Sequence, residues 1–231
     1  MDFSEFDKLA HWFWKKPITQ INEGIEDGYI KDSIGSSGIT LVIGCPLPKE
    51  IQRKILKIRS KFDKLLKEET TLQVKWRDDL SSLHITVYGL VKPEDYKRGE
   101  SWPLKENVLK AIKDVVSNTL DFNLVLQGVG ILGIGAVGIR ISNSDTLSQI
   151  RKGISKIQGM SEYGEKRGEG VNKIMIGRFL TSFSESSMQI VKRIVDDLRD
   201  FPIGEMKVNN FELVHYKHEF LDRLYEQNSF L

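Results

Sequence analysis

Two stretches of the chain, 39–90 and 136–180, carry the same order of patterns: a short β-branched apolar run, a segment with apolar residues every three or four positions, and a second β-branched run. A period near 2 suits a strand and a period near 3.6 suits a helix, so each stretch reads as strand–helix–strand. The residues of the two stretches match poorly, so the echo is one of architecture. It predicts two similar lobes facing each other across a groove.

The remaining patterns fill in this frame. A buried strand is expected over 39–44. Pro46 and Pro48 then open a helix over 49–67, with Ile51, Ile55, Ile58, Phe62 and Leu65 on one face. A second strand is expected over 83–90, and a helix over 103–117 with Leu109, Ile112, Val115 and Val116 on one side. Strands over 122–129 and 136–141 flank the glycine-rich turn GILGIG, and a helix follows over 145–157. The polar, glycine-rich stretch 159–170 reads as a loop and 171–180 as a strand. Ser184 or Ser186 caps a helix that ends near Leu198. One strand is expected over 206–216, with room for another near the C-terminus. Mixed strands and helices without a strict βαβ repeat place the chain in the α+β (mixed α/β) class.

Residues 1–37 read as an N-terminal extension and 38–231 as the main domain. The extension holds the cluster Trp12, Phe13 and Trp14, which either covers the main body or offers a face to a protein partner. GVGILG fits a dinucleotide-binding spacing, but it lies between two expected strands and not between a strand and a helix, which favours a hairpin turn.

Charge and cysteine content narrow the function classes. Lys+Arg is 34 and Asp+Glu is 32, a net charge of +2, which suits a local phosphate site better than a long nucleic-acid footprint. Cys45 is the single cysteine, so no internal disulfide forms, and it reads as a small buried or half-buried residue in preference to a nucleophile. No cysteine–histidine cluster has zinc spacing. No signal-peptide pattern and no long apolar run is present, so the expected location is the cytoplasm, with no membrane contact.

The segment His84-Ile85-Thr86-Val87-Tyr88-Gly89-Leu90 carries the chemistry. Strand alternation puts His84, Thr86 and Tyr88 on one face and Ile85 and Val87 on the other. An imidazole can move a proton near neutral pH, and a hydroxyl can donate to a phosphate oxygen. A lone His-x-Thr on a strand is also compatible with a structural role.

HITVYGL resembles the first signature of the two-histidine (2H) phosphoesterases, a superfamily that includes the RNA 2',3'-cyclic phosphodiesterases once called RNA ligases. The resemblance spans 38–231. GITLVIGCPLP is similar to the opening strand and proline turn of that family. FNLVLQGVGIL with AVGIRI is similar to its central hairpin. VNKIMIGRF falls where the second signature belongs, and VNNFELVHYKHEFLDRLYE resembles the closing strand. The resemblance implies two His-x-Thr/Ser strands, one per lobe. One histidine acts as general base and the other as general acid, the hydroxyls hold the phosphate, and no metal or other cofactor takes part. It implies a substrate that is a nucleotide or RNA end with a 2',3'-cyclic or 2'-5' phosphate.

The second signature departs from the family pattern. Lys173 stands where the second histidine is expected and Met175 where its hydroxyl partner is expected. Lysine can bind a phosphate as a point charge or donate a proton. The candidate catalytic residues are therefore His84, Thr86 and Lys173, and the candidate phosphate or substrate contacts are Thr86, Tyr88, Lys173 and Arg178. Strict alternation places Arg178 on the face opposite Lys173. His215 and His218 belong to the closing strand, where a structural role fits better. Two readings follow: a weak or atypical phosphodiesterase, or a non-catalytic nucleotide-binding or RNA-end-binding module on the same fold.

Overall fold

The computed structural model describes residues 5–33, 37–44, 46–69, 71–91, 106–133, 135–142, 145–158, 160, 172–219 and 222–229. The described elements, in chain order, are α1 (Glu5–Phe13), α2 (Ile18–Ser33), β1 (Ser37–Ile43), α3 (Lys49–Glu69), β2 (Val74–Trp76), a 3-10 turn (Leu80–Ser82), β3 (Ile85–Val91), α4 (Glu106–Ser117), β4 (Phe122–Leu132), β5 (Ala136–Ser142), α5 (Asp145–Ser155), β6 (Lys173–Phe179), α6 (Glu185–Leu198), β7 (Pro202–Val208), β8 (Glu212–Glu219) and β9 (Asp222–Ser229). Most of the expected loop 159–170 and the Cys45 position lie outside the described residues.

Apolar spacing explains the helices. In α3, Ile51, Ile55, Ile58, Phe62 and Leu66 form a buried stripe, while Leu65 packs at its edge. Ser184 caps α6: its hydroxyl accepts from the Ser187 amide, and the Ser187 hydroxyl accepts from the Ser184 amide. This reciprocal arrangement satisfies two amides that lack a partner within the helix.

The strands form two antiparallel sheets, one in the order β3-β1-β8-β9 and the other β2-β6-β5-β4-β7. The strand expected over 206–216 is two strands. It breaks at Asn209, Asn210 and the buried Phe211, with β7 in one sheet and β8 in the other. The two consecutive asparagines interrupt the alternation, and there the chain crosses between lobes. Two helices cross as well. α3 leaves β1 of the first sheet yet packs on β7 and α6 beside the second sheet, and α5 leaves β5 of the second sheet yet packs on β3 of the first.

The extension is helical and packed. α1 lies on β4, α2 touches β8, and Phe13, Ile21 and Ile25 join the main core. Phe13 is fully buried, Trp14 meets it edge-on at 5.0 Å, and Trp12 stays exposed with the Lys16 ammonium 4.0 Å from its ring centre.

A bulge interrupts each signature strand at the equivalent place. Along β1 and β3, Val42 faces Thr86 and Leu41 faces Tyr88, so Val87 is the extra residue. Along β5 and β6, Gly138 faces Met175 and Val137 faces Gly177, so Ile176 is the extra residue. A buried arginine from a crossing helix braces each bulge. Arg151 of α5 donates from Nε to the Val87 carbonyl (2.8 Å), from Nη2 to the Thr86 carbonyl (3.0 Å) and from Nη1 to Asn172 Oδ1 (2.6 Å). Arg59 of α3 donates from Nη1 to the Arg77 carbonyl (2.7 Å) and from Nη2 to the Ile176 carbonyl (3.3 Å). Burial lowers each guanidinium to about 10, with Asp78 and Asp63 opposing the shift at Arg59, so both stay charged at neutral pH.

Arg151→Met removes three hydrogen bonds, one of them buried at the Val87 carbonyl and two part-buried at the Thr86 carbonyl and Asn172. It is expected to cost about 2–5 kcal/mol in urea denaturation. Arg151→Lys should recover less than half of that loss, because one ammonium cannot span three acceptors held in a fork.

Candidate functional site

The site starts at a short capped turn. Asp79 Oδ1 accepts from the Ser81 amide (2.8 Å) and starts the 3-10 turn Leu80–Ser82. The turn presents the Ser82 carbonyl to His84 Nδ1 at 2.8 Å. A carbonyl can only accept, so Nδ1 carries the proton and Nε2 is the ring position that gains or releases the second one. His84 is buried to 8 % exposure just before β3, and Thr86, two residues on, is exposed.

Lys173 opens β6, and Met175 follows on the same side. Arg151 reaches both half-sites at once, through the Thr86 carbonyl and through Asn172, the residue before Lys173. His84, Thr86, Lys173 and Met175 line one pocket of about 190 Å³ together with Arg77, Ser82 and Leu83. The structure thus brings together three residues singled out in the sequence, His84, Thr86 and Lys173, with Met175 beside them. Arg77 is the residue that sequence reasoning missed. It follows the three-residue strand β2, its amide donates to the Ile176 carbonyl, and its own carbonyl accepts from Arg59.

Tyr88 and Arg178 are placed differently from what alternation predicts, and the bulges are the cause. Partners directly opposite each other share a side of the sheet. Tyr88 faces Leu41 while Thr86 faces Val42, so Tyr88 turns to the core side, where it is buried. Arg178 faces Ala136 while Met175 faces Gly138, so the bulge at Ile176 returns Arg178 to the side of Lys173 and Met175. Its side chain is buried there and does not line the pocket. His215 lies on β8 opposite Ile39 and does not line the pocket either. The side chain of His218 lies outside the described residues.

The electrostatics of the pocket favour an anion. Its described lining holds the cations Arg77 and Lys173, the imidazole of His84 and the hydroxyls of Ser82 and Thr86, with no carboxylate. A larger cavity of about 300 Å³ lies between α1 and the end of α6 and contains none of the signature residues. Two of its cations are taken up locally, Arg140 by Asp7 and Asp200, and Lys192 by Asp196. Among the described residues no group of three His, Cys, Asp or Glu side chains is placed to hold a metal ion, and no helix is long and apolar enough to cross a membrane.

No family model and no curated protein matches the chain in sequence. Solved structures do match its fold. A conserved protein of unknown function from Agrobacterium tumefaciens C58 aligns with a TM-score of 0.54 at 13% identity, over 86% of this chain and 87% of that one. A phosphoesterase aligns with a TM-score of 0.53 at 13% identity, over 84% and 96%. E. coli LigT complexed with phosphate aligns with a TM-score of 0.50 at 14% identity, over 84% and 95%. At such identities the likeness establishes the fold, a mixed α+β architecture of the kind that the resemblance to two-histidine phosphoesterases implies.

A pH dependence follows from the groove face of the first sheet. Glu212 of β8 faces Val42, whose other partner is Thr86, so it shares the side of Thr86. Burial raises its carboxyl above the usual range, and the Asn210 amide at 3.4 Å opposes the shift. A raised pKa contributes stability below the ordinary carboxylate value, and that contribution is lost as pH rises through the raised value. Glu212→Gln keeps the shape and stays neutral. Its melting temperature relative to wild type is therefore expected to rise from acid to neutral pH across that window.

Proposed function

We propose that the chain is a metal-independent phosphodiesterase-like protein acting on 2',3'-cyclic or 2'-5'-linked nucleotides, with the pocket around His84 as its site. The observation that carries this reading is the composition of that pocket: an oriented imidazole, two hydroxyls and two cations converge, with no carboxylate among the described lining residues. Such a set suits a phosphate diester, whose charge it can hold while His84 handles a proton. The phosphate in the LigT complex, on a fold of the same kind, lends further support.

The reaction needs two proton transfers. Water attacks phosphorus, a bond forms to the water oxygen, and the bond to one ribose oxygen breaks. One group takes a proton from the water and another gives one to the departing oxygen. His84 fills one of these roles through Nε2. Lys173, charged, fills the role of acid or holds the phosphate. Thr86 is a hydroxyl donor, the Ser82 hydroxyl being engaged with the Asp79 carbonyl at 2.8 Å, and Arg77 supplies a second cation that offsets the hydroxyl absent at Met175. Tyr88 and Arg178 act, in this reading, on the strands that carry the site and do not touch the substrate. With one histidine in place of two, turnover is slow, since each proton-transfer group contributes roughly 10²–10⁴-fold.

A second reading rests on Met175. A thioether cannot donate to a phosphate oxygen, so a site with Lys173 and Met175 in the second signature also suits a module that binds nucleotides without turning them over. The two readings separate in one experiment on nucleoside 2',3'-cyclic phosphates with chelator present. The enzyme reading expects turnover that falls about 10²–10⁴-fold in His84→Ala and falls again in Lys173→Met. Binding without turnover in wild type, weakened in both Arg77→Met and Lys173→Met, would establish the module. Neither turnover nor binding would remove both.

A further inference from the structure

The face of the second sheet beyond Lys173 and Met175 is covered by the first helix of the chain. The residues opposite Lys173 and Met175 on β5 are Arg140 and Gly138, on the same side of the sheet, and Gly138 in turn faces Gly130 of β4. Phe6 of α1 lies over both glycines and is buried. A Cβ on Gly130 would stand 2.7 Å from Phe6 Cε1 and 3.3 Å from Ala10 Cβ, and a Cβ on Gly138 would stand 3.4 Å from Phe6 Cε2. The two facing glycines therefore leave the space that the helix fills. Arg140, the neighbour of Lys173, is fastened to the same helix: its Nη1 donates to Asp7 Oδ1 at 3.2 Å and Oδ2 at 3.3 Å.

We infer that α1 is a specificity wall, which limits the pocket around His84 to a small ligand such as a cyclic mononucleotide and turns away an RNA chain. This inference rests on the phosphodiesterase-like reading of the pocket and names its substrate class. A chain whose end sat at His84 and Lys173 would have to run across β5 and β4 to use the face of the second sheet. It meets Phe6, Ala10 and the Asp7–Arg140 pair one strand away from Lys173. A single nucleotide has no further residues to place along that face. The residues that make room for the helix, Gly130 and Gly138, lie outside the pocket, so size selection is separate from the chemistry.

The test compares binding of 2',3'-cyclic AMP with binding of a short single-stranded RNA ending in a 2',3'-cyclic phosphate. The proteins are full-length wild type, Gly130→Leu and Phe6→Ala. The leucine pushes against the helix, and the alanine removes the ring that seats it; the milder Phe6→Ala serves if Gly130→Leu does not fold. Wild type is expected to prefer the mononucleotide. Each folded variant is expected to shift the ratio of affinities toward RNA by about tenfold or more, the low end of what one steric contact contributes to discrimination, with mononucleotide affinity unchanged. Equal binding of both ligands by wild type, or an unchanged ratio in the folded variants, would overturn the wall while leaving the site intact. Binding of neither ligand by wild type would overturn the wall together with the reading of the site.

Discussion

Two buried guanidinium groups hold the arrangement together. A bulge frees backbone carbonyls from regular pairing, and a buried carbonyl without a donor is costly. Arg151 supplies such donors at the Val87 bulge, and Arg59 adds one at the Ile176 carbonyl, which also accepts from the Arg77 amide; each comes from a helix that began in the opposite lobe. Burial disfavours the charge of an arginine, and here the carbonyl oxygens offset that cost through directed hydrogen bonds. The fork geometry matters, because Arg151 reaches Thr86, Val87 and Asn172 with three different nitrogens. Arg151 thereby ties the Thr86–Val87 segment of β3 to Asn172, the residue before β6.

The two halves of the pocket share a backbone plan and differ in chemistry. The β3 half offers a histidine held by a carbonyl and an exposed threonine. The β6 half offers a lysine and a methionine. The backbone of β6 has the same bulge and arginine brace as β3, although its side chains differ. Arg77 enters the pocket from the segment after β2, whose backbone β6 holds by strand pairing. Positive charge has thus gathered on the side where an imidazole and a hydroxyl are absent.

Much of this was legible in the residues, and the rest failed for definable reasons. Apolar spacing in α3 and α6 and alternation around His84 located those elements, because each signal lies within one segment. The bulges did not show, since a bulge is a relation between two strands, and neither ITVYG nor IMIGR announces an extra residue. That is why alternation alone assigned Tyr88 to the groove side and Arg178 to the opposite one. Arg77 lies among Lys75, Asp78 and Asp79, a pattern that reads as a solvated turn, and only tertiary pairing buries it. Glycines in α2 obscured the helices of the extension, and the aromatic cluster pointed to packing on the main body without indicating a helix. The split between β7 and β8 did leave a trace, the adjacent Asn209 and Asn210.

The exchange of helices has a consequence for how the chain acquires its structure. β1 pairs with β8, joining Ser37 to Lys217 near the far end of the sequence, so the first sheet stays incomplete until most of the chain is in place. α3 follows β1 directly, yet it packs on β7 and α6, beside the second sheet. Neither lobe can bury its own surface alone, so the two acquire order in one cooperative event dominated by contacts distant in sequence. Such topologies fold slowly. Until the C-terminal strands arrive, the stripe of Ile51, Ile55, Ile58 and Phe62 stays open to water, and that interval is when the nascent chain is most exposed to aggregation.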